Sequence, residues 1–83
     1  MAARVLLVDD HEIMREGMHA LLRKCEDIEV VGQAADGRAA IELTDQLNPD
    51  IVILDIGMPN LNGIQAARQM KENHPQLKIM ALS

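Results

Sequence analysis

The chain has 83 residues, no Phe, Trp or Tyr, and a formal charge of -5 from thirteen acidic against eight basic side chains. It makes one small domain that buries only about 60% of its unfolded surface, with a core of Ile, Leu, Val, Met and Ala. The acidic balance repels nucleic acid, Cys25 alone permits no internal disulfide or CxxC metal site, and no stretch approaches the roughly 20 apolar residues of a membrane span. No leader pattern opens the chain either, so a cytoplasmic protein is expected, with Cys25 partly buried and unreactive.

Val5 to Val8 is a hydrophobic run that ends in Asp9-Asp10 and reads as a first strand. Ile13, Met14, Gly17, Met18, Leu21 and Leu22 then recur at helical spacing through about Lys24, one apolar stripe of a first helix. Ile28 to Ala34 is a short β-rich run, and Asp36 after it is placed to cap the next helix. Ala40, Ile41, Leu43, Thr44 and Leu47 line that helix's inner face, and Asn48-Pro49-Asp50 stops it. Ile51 to Leu54, which runs into Asp55, is uninterrupted and apolar, as expected of a central parallel strand covered on both faces.

Gly57, Pro59 and residues 60–63 form a loop, with Asn62 a cap for a third helix from about Gly63 to Asn73 that buries Ile64, Ala67 and Met70. His74-Pro75 breaks this helix, and Lys78 to Leu82 is a fourth strand followed by Ser83. The order is βαβαβαβ, so the fold class is α/β: a parallel sheet with helices on its faces, joined by right-handed crossovers.

If the first and third strands are parallel neighbours, Asp9, Asp10 and Asp55 meet at one edge of the sheet. Like charges about 4 Å apart repel by roughly 4 kcal/mol at an effective dielectric near 20, and a hard divalent cation relieves that. Carboxylate oxygens suit Mg²⁺, which keeps several waters and commonly binds a phosphate beside one or two carboxylates. A metal-assisted phosphate site is the expectation.

The acidic pair after strand one, the lone Asp55 after strand three, Gly57-Met58-Pro59 with Asn62-Gly63 beyond it, and Ser83 after strand four together resemble the receiver domain of two-component response regulators. Asp9-Asp10-His11, Asn48-Pro49-Asp50 and residues 54–59 resemble in particular the subfamily joined to a LuxR-type helix-turn-helix. The resemblance spans residues 1–83 and implies a flavodoxin-like, CheY-like three-layer sheet with strand order 2-1-3-4 over the elements present. In such sheets the ligand crevice lies beyond the carboxyl ends of the strands at the switch point.

By position, Asp55 resembles the phosphoacceptor that takes a phosphoryl group from a sensor histidine kinase. Asp10, Asp55 and the backbone carbonyl of Gly57 resemble the Mg²⁺ ligands, Asp9 acts through a metal-bound water, and Ser83 resembles the switch hydroxyl that binds the phosphoryl oxygens. The implied role is a phosphorylation switch on a transcriptional output, with DNA reached only through a carboxyl-terminal helix-turn-helix.

The resemblance further implies that residues 1–83 are the amino-terminal portion of a receiver, without the family's fourth helix, fifth strand, fifth helix and strand-five lysine. No lysine present replaces it, and Arg15, in the first turn of helix one, is the only cation placed to reach the crevice, though it is read first as a solvated charge on a helix face. Apolar side chains of strands three and four are then uncovered on the fifth helix's face and strand four becomes an open edge, so a homodimer or larger assembly is expected.

Each feature also has a plainer reading. Any one of the three aspartates alone is better taken as a polar strand end, and a terminal serine is open to fraying. His11 is placed to shape the crevice but is read first as a loop residue at the start of helix one, His19 and His74 are read as solvated, the six methionines as core filling, and Asp36, Asp45 and Asp50 as caps or surface charges. Two other function classes remain. An Asp-nucleophile phosphohydrolase requires Asp-x-Asp, where this chain has Gly57, and a non-signalling fragment that only self-associates is the alternative to the phosphorylation switch. No GxGxxG follows strand one, which disfavours a dinucleotide site.

Overall fold

In a computed structural model, residues 2–55 and 63–82 are described. The elements are β1 Ala3–Val8, α1 Glu12–Leu22, β2 Ile28–Ala34, α2 Gly37–Leu47, β3 Ile51–Asp55, α3 Gly63–Asn73 and β4 Lys78–Leu82. All four strands are parallel, in the order β2-β1-β3-β4, as expected. Gly57, Met58, Pro59, Asn62 and Ser83 lie outside the described residues.

Of the two central strands, β1 is buried on both faces from Val5 to Val8, whereas β3, expected to be covered on both faces, buries Val52 and Leu54 on one and leaves Ile51 and Ile53 half-buried on the other. Leu6, Val8, Val52 and Leu54 point to the side of α2 and α3, where they meet Ala40, Ala66, Met70 and Leu77 in one buried cluster. Thr44 joins this core without penalty, since its hydroxyl donates to the Ala40 carbonyl oxygen at 2.7 Å and also contacts Met70 Sδ at 3.2 Å. Asp36 caps α2 as expected, its Oδ1 accepting from the Ala39 N–H at 2.8 Å. Asn48 ends that helix in the left-handed region, φ 48°, one residue before Pro49.

Asp50 ties the opposite end of the sheet. Its Oδ2 accepts from the Arg4 N–H at 2.8 Å, and its own N–H returns a 2.8 Å bond to the Arg4 carbonyl. The amino-terminal ends of β1 and β3 are thereby held level, which sets the register Val8 against Leu54 at their carboxyl ends. β2 inserts one extra residue, because Val5 pairs with Val30 while Leu6 pairs with Gly32.

Helix packing departs from the sequence expectations in two places. α1 has no buried residue, and Ile13, Met14 and Leu21 are 85%, 60% and 67% exposed. The half-buried side of α1 is instead Arg15, Met18, His19 and Leu22, an i, i+3, i+4, i+7 line rotated from the apolar stripe. In α3 the buried positions are Gly63, Ala66 and Met70, whereas Ile64 is 58% exposed and Ala67 half-buried. The small Ala66 and Gly63 let the helix approach the sheet and α2 closely, so the stripe turns by one position.

Strand four is an edge, with Lys78, Met80, Ala81 and Leu82 exposed and Ile79 half-buried. Cys25, expected to be partly buried, is exposed in the turn after α1. His74, read from sequence as solvated, has Nε2 2.8 Å from Asp45 Oδ1, which links α3's end to α2.

Candidate metal centre

The register of β1 and β3 decides the site. Val8 lies opposite Leu54, so Asp9, just past β1, and Asp55, the last residue of β3, stand at the same level, and Asp10 follows in the turn to α1. One oxygen each from Asp9, Asp10 and Asp55 and one ring nitrogen of His11 lie within 4.8 Å of one another. The three aspartates are therefore brought together as expected, and His11, which was read as a loop residue, joins them.

Asp9 is the innermost, 7% exposed. Its Oδ1 accepts from the His11 backbone N–H at 2.8 Å and lies 3.1 Å from His11 Nδ1. The same Nδ1 is 3.0 Å from Asp10 Oδ1 and 3.8 Å from Asp55 Oδ2. His11 occupies the N-cap position of α1, yet its side chain makes no cap bond and turns to the acids instead.

A protonated Nδ1 has one hydrogen, and Asp9 takes it. Asp10 Oδ1 is left buried without a hydrogen bond, although the imidazole stands beside it. The contact between them is thus one of charge. The hydrogen bond to Asp9 and the charge on Asp10 hold the His11 imidazole above its ordinary pKa, Asp9 and Asp55 charges add to this, and desolvation acts the other way.

A buried carboxylate oxygen without a partner carries an uncompensated desolvation cost. Three carboxylates and an orphaned oxygen on one small surface fit a hard divalent cation. That fit rests on the donor chemistry of residues 9, 10 and 55. The fourth expected ligand, the Gly57 carbonyl, and the expected switch hydroxyl of Ser83 are outside the described residues.

A polar relay stands behind the acids. Arg15 Nη1 donates to the Asp9 carbonyl oxygen at 2.7 Å and its Nε donates to Gln33 Oε1 at 3.2 Å, while Gln33 Nε2 lies 2.8 Å from His19 Nδ1. Arg15 and His19 are therefore not solvated charges, contrary to the sequence reading. They sit one turn apart on the half-buried side of α1, and Gln33 near the end of β2 gives both a partner. The signal was present in the i, i+4 spacing of Arg15 and His19 toward β2, but the apolar stripe beside it was the stronger pattern.

Next to the acids, Leu7, Val8, Met14, Met18, Ile53 and Leu82 enclose a cavity of about 360 Å³ with Arg15 at its wall. No helix among the described residues is long and apolar enough to cross a membrane.

Comparison with known proteins agrees with this geometry. The response regulator receiver domain family matches residues 5–83. The chain is 42% identical over 83 residues to the response regulator protein VraR of Staphylococcus epidermidis and 38% identical over 80 residues to the transcriptional regulatory protein DegU of Brevibacillus brevis. It covers 100% and 96% of its own length in those matches but only 40% and 34% of the two relatives.

Among solved structures, the response regulator domain of Thermotoga maritima CheB superposes with a TM-score of 0.92 at 38% identity, covering 98% of this chain and 60% of that one. A LuxR-family two-component response regulator from Aurantimonas superposes with a TM-score of 0.91 at 37% identity, covering 98% and 58%. The acidic cluster at the carboxyl ends of β1 and β3 thus lies in a chain that belongs to the response regulator receiver domain family, with the CheY-like receiver fold.

Proposed function

We propose that Asp55 is the phosphoacceptor of this receiver and that Asp10 and Asp55, with the Gly57 carbonyl, hold Mg²⁺ while Asp9 acts through a metal-bound water. The observation that carries the reading is the convergence of one oxygen from each of Asp9, Asp10 and Asp55 within 4.8 Å. A bound divalent ion supplies charge neutralisation to the transferring phosphoryl group.

The chain's own part is to position and to accept. An Asp55 oxygen attacks phosphorus, an acyl phosphate bond forms, and the phosphorus–nitrogen bond of a phosphohistidine donor breaks, the electron pair returning to the donor imidazole. Phosphoryl transfer asks little covalent help, so a carboxylate held in line is sufficient equipment. Asp55 is suited to this by its place at the end of a central strand, with its side chain 20% exposed.

The product adds about 1.5 to 2 negative charges at one point, enough to reorganise neighbouring loops. Ser83, one residue beyond Leu82, which pairs with Asp55 in the β3–β4 register, is the proposed hydroxyl that reads this charge. A sensor histidine kinase is the proposed donor, a cytoplasmic location is proposed for this receiver, and a transcriptional output through an attached helix-turn-helix is the proposed consequence. The VraR and DegU names support the output, as a response regulator protein and a transcriptional regulatory protein.

The test is intact mass after incubation with Mg²⁺ and acetyl phosphate. One added phosphoryl group in the wild type and none in Asp55→Asn is the expected result. Addition at a residue other than Asp55 overturns the assignment.

A second reading is self-association of the chain. It is favoured by the open β4 edge, where Met80 and Leu82 are 55% and 40% exposed, and by the exposed stripe of α1. Sedimentation should show a dimer or larger species that Met80→Lys with Leu82→Glu reduces to a monomer. A monomer mass for the unaltered chain at high concentration removes this reading.

A further inference from the structure

The site contains one donor that the phosphoacceptor reading does not use. His11 Nδ1 lies 3.1, 3.0 and 3.8 Å from oxygens of Asp9, Asp10 and Asp55. In a six-coordinate ion with bonds of about 2.1 Å, neighbouring donor atoms stand about 3.0 Å apart and opposite ones about 4.2 Å apart. The imidazole nitrogen therefore holds the spacing of a neighbouring ligand to two carboxylates at once, and the third is between the two spacings.

The ring is aimed at this position by the backbone. Asp9 Oδ1 accepts the His11 N–H at 2.8 Å, which closes a turn across residues 9–11 and directs the side chain from the N-cap position of α1 toward the acids. The His11 side chain is 67% exposed, so it shifts by the few tenths of an ångström that coordination requires without disturbing any packed neighbour. The buried Asp10 Oδ1, which has no hydrogen bond, lies on the same side of the ring at 3.0 Å.

Resting on the metal reading above, we propose that His11 is a specificity-determining ligand of this centre, whose Nδ1 joins the carboxylates and shifts the site's preference from Mg²⁺ toward the first-row ions Mn²⁺, Co²⁺ and Zn²⁺. Mg²⁺ takes oxygen donors and surrenders water reluctantly, so a nitrogen at its rim gains it little. Imidazole suits the later first-row ions, whose affinity for mixed nitrogen and oxygen sites also rises along the series. The cell's supply of each metal then decides which ion charges the receiver.

The test is titration calorimetry of the whole 83-residue chain with MgCl₂ and with CoCl₂, in the wild type, His11→Ala and His11→Asn, together with the visible absorption of the Co²⁺ form. Expected is a loss of at least about tenfold in Co²⁺ affinity in both variants, with Mg²⁺ affinity within about twofold, because removing even a supporting partner of a metal ligand costs that much. The Co²⁺ band should also shift when water replaces the nitrogen. Far-ultraviolet circular dichroism of the variants checks that the fold is kept.

Parallel losses for both ions make His11 a general positioning residue and overturn the proposal. A gain in Mg²⁺ affinity with Co²⁺ unchanged makes the ring a plug and also overturns it. A wild type that binds Mg²⁺ but has no preference altered at residue 11 defeats the ligand role alone, whereas one that binds neither ion defeats the metal reading with it.

Discussion

Arg15 Nη1 donates to the Asp9 carbonyl oxygen at 2.7 Å, which ties the first turn of α1 back onto the end of β1. The bond fixes the peptide from which both Asp9 and Asp10 project, so Arg15 positions the acids without touching the ligand space. Arg15→Gln should lower Mg²⁺ affinity by about tenfold, the scale for a residue that orients a ligand, and cost about 1 kcal/mol of stability. Calorimetric titration and urea unfolding check the two effects separately; unaltered metal affinity would reduce Arg15 to a structural contact.

The His11 imidazole carries a pH signature in the metal-free protein. Its pKa is raised in the folded state, first by the hydrogen bond to Asp9 and then by the charge of Asp10. A raised folded pKa means that the charged ring stabilises the fold fully below the unfolded value of about 6.5 and that this contribution is lost as pH rises through the higher folded value. Asp9→Asn should move the His11 midpoint down in a proton NMR titration. A midpoint that stays in place in the variant would show that Asp9 is not the main cause.

The far end of the sheet offers a contrast, because Asp50 bonds the Arg4 N–H at 2.8 Å away from every acid of the cluster. Asp50→Ala should cost about 1 kcal/mol, the net value of one hydrogen bond at an exposed site, and leave Mg²⁺ affinity unchanged. Thermal unfolding with and without Mg²⁺ makes the comparison. A loss of metal binding here would mean that β1–β3 register is loose enough to be set by Asp50 alone.

Much of this was legible in the chain before folding. Alternating apolar runs and helical spacing suffice to predict a parallel sheet, and the acids meet at a shared edge once the resemblance to receivers makes the first and third strands neighbours. The relay of Arg15, Gln33 and His19 was not legible. It depends on which side of α1 meets β2, and of the stripe Ile13, Met14, Gly17, Met18, Leu21 and Leu22 only Met18 and Leu22 fall on the half-buried side, since apolar periodicity marks a face without saying that anything covers it. The same blindness moved the buried side of α3 from Ile64 to Ala66, where a small side chain permits close approach that a hydropathy pattern does not register. His11 was legible only as a residue near the crevice, because the three-residue turn closed by Asp9, which turns its ring to the acids, leaves no mark in the sequence pattern.

Asp10 sets function against stability. One of its oxygens is buried without a hydrogen bond, beside two other carboxylates, so in metal-free protein its charge is a cost. Removing that charge should stabilise the empty fold and abolish the benefit of metal. Above the raised His11 pKa, where the ring has lost its charge and offsets little, Asp10→Asn is expected to raise metal-free stability by about 1 to 2 kcal/mol, from relief of repulsion between close charges in a partly buried site. Wild type should gain stability when Mg²⁺ is added, because the ion binds the native state alone, and the variant should gain almost none. The two curves would therefore cross as Mg²⁺ rises, the variant being the more stable protein at low metal and the less stable at high. Urea unfolding across a Mg²⁺ series measures the crossing. Curves that stay parallel would show that Asp10 is a tolerated surface charge with no part in holding the ion.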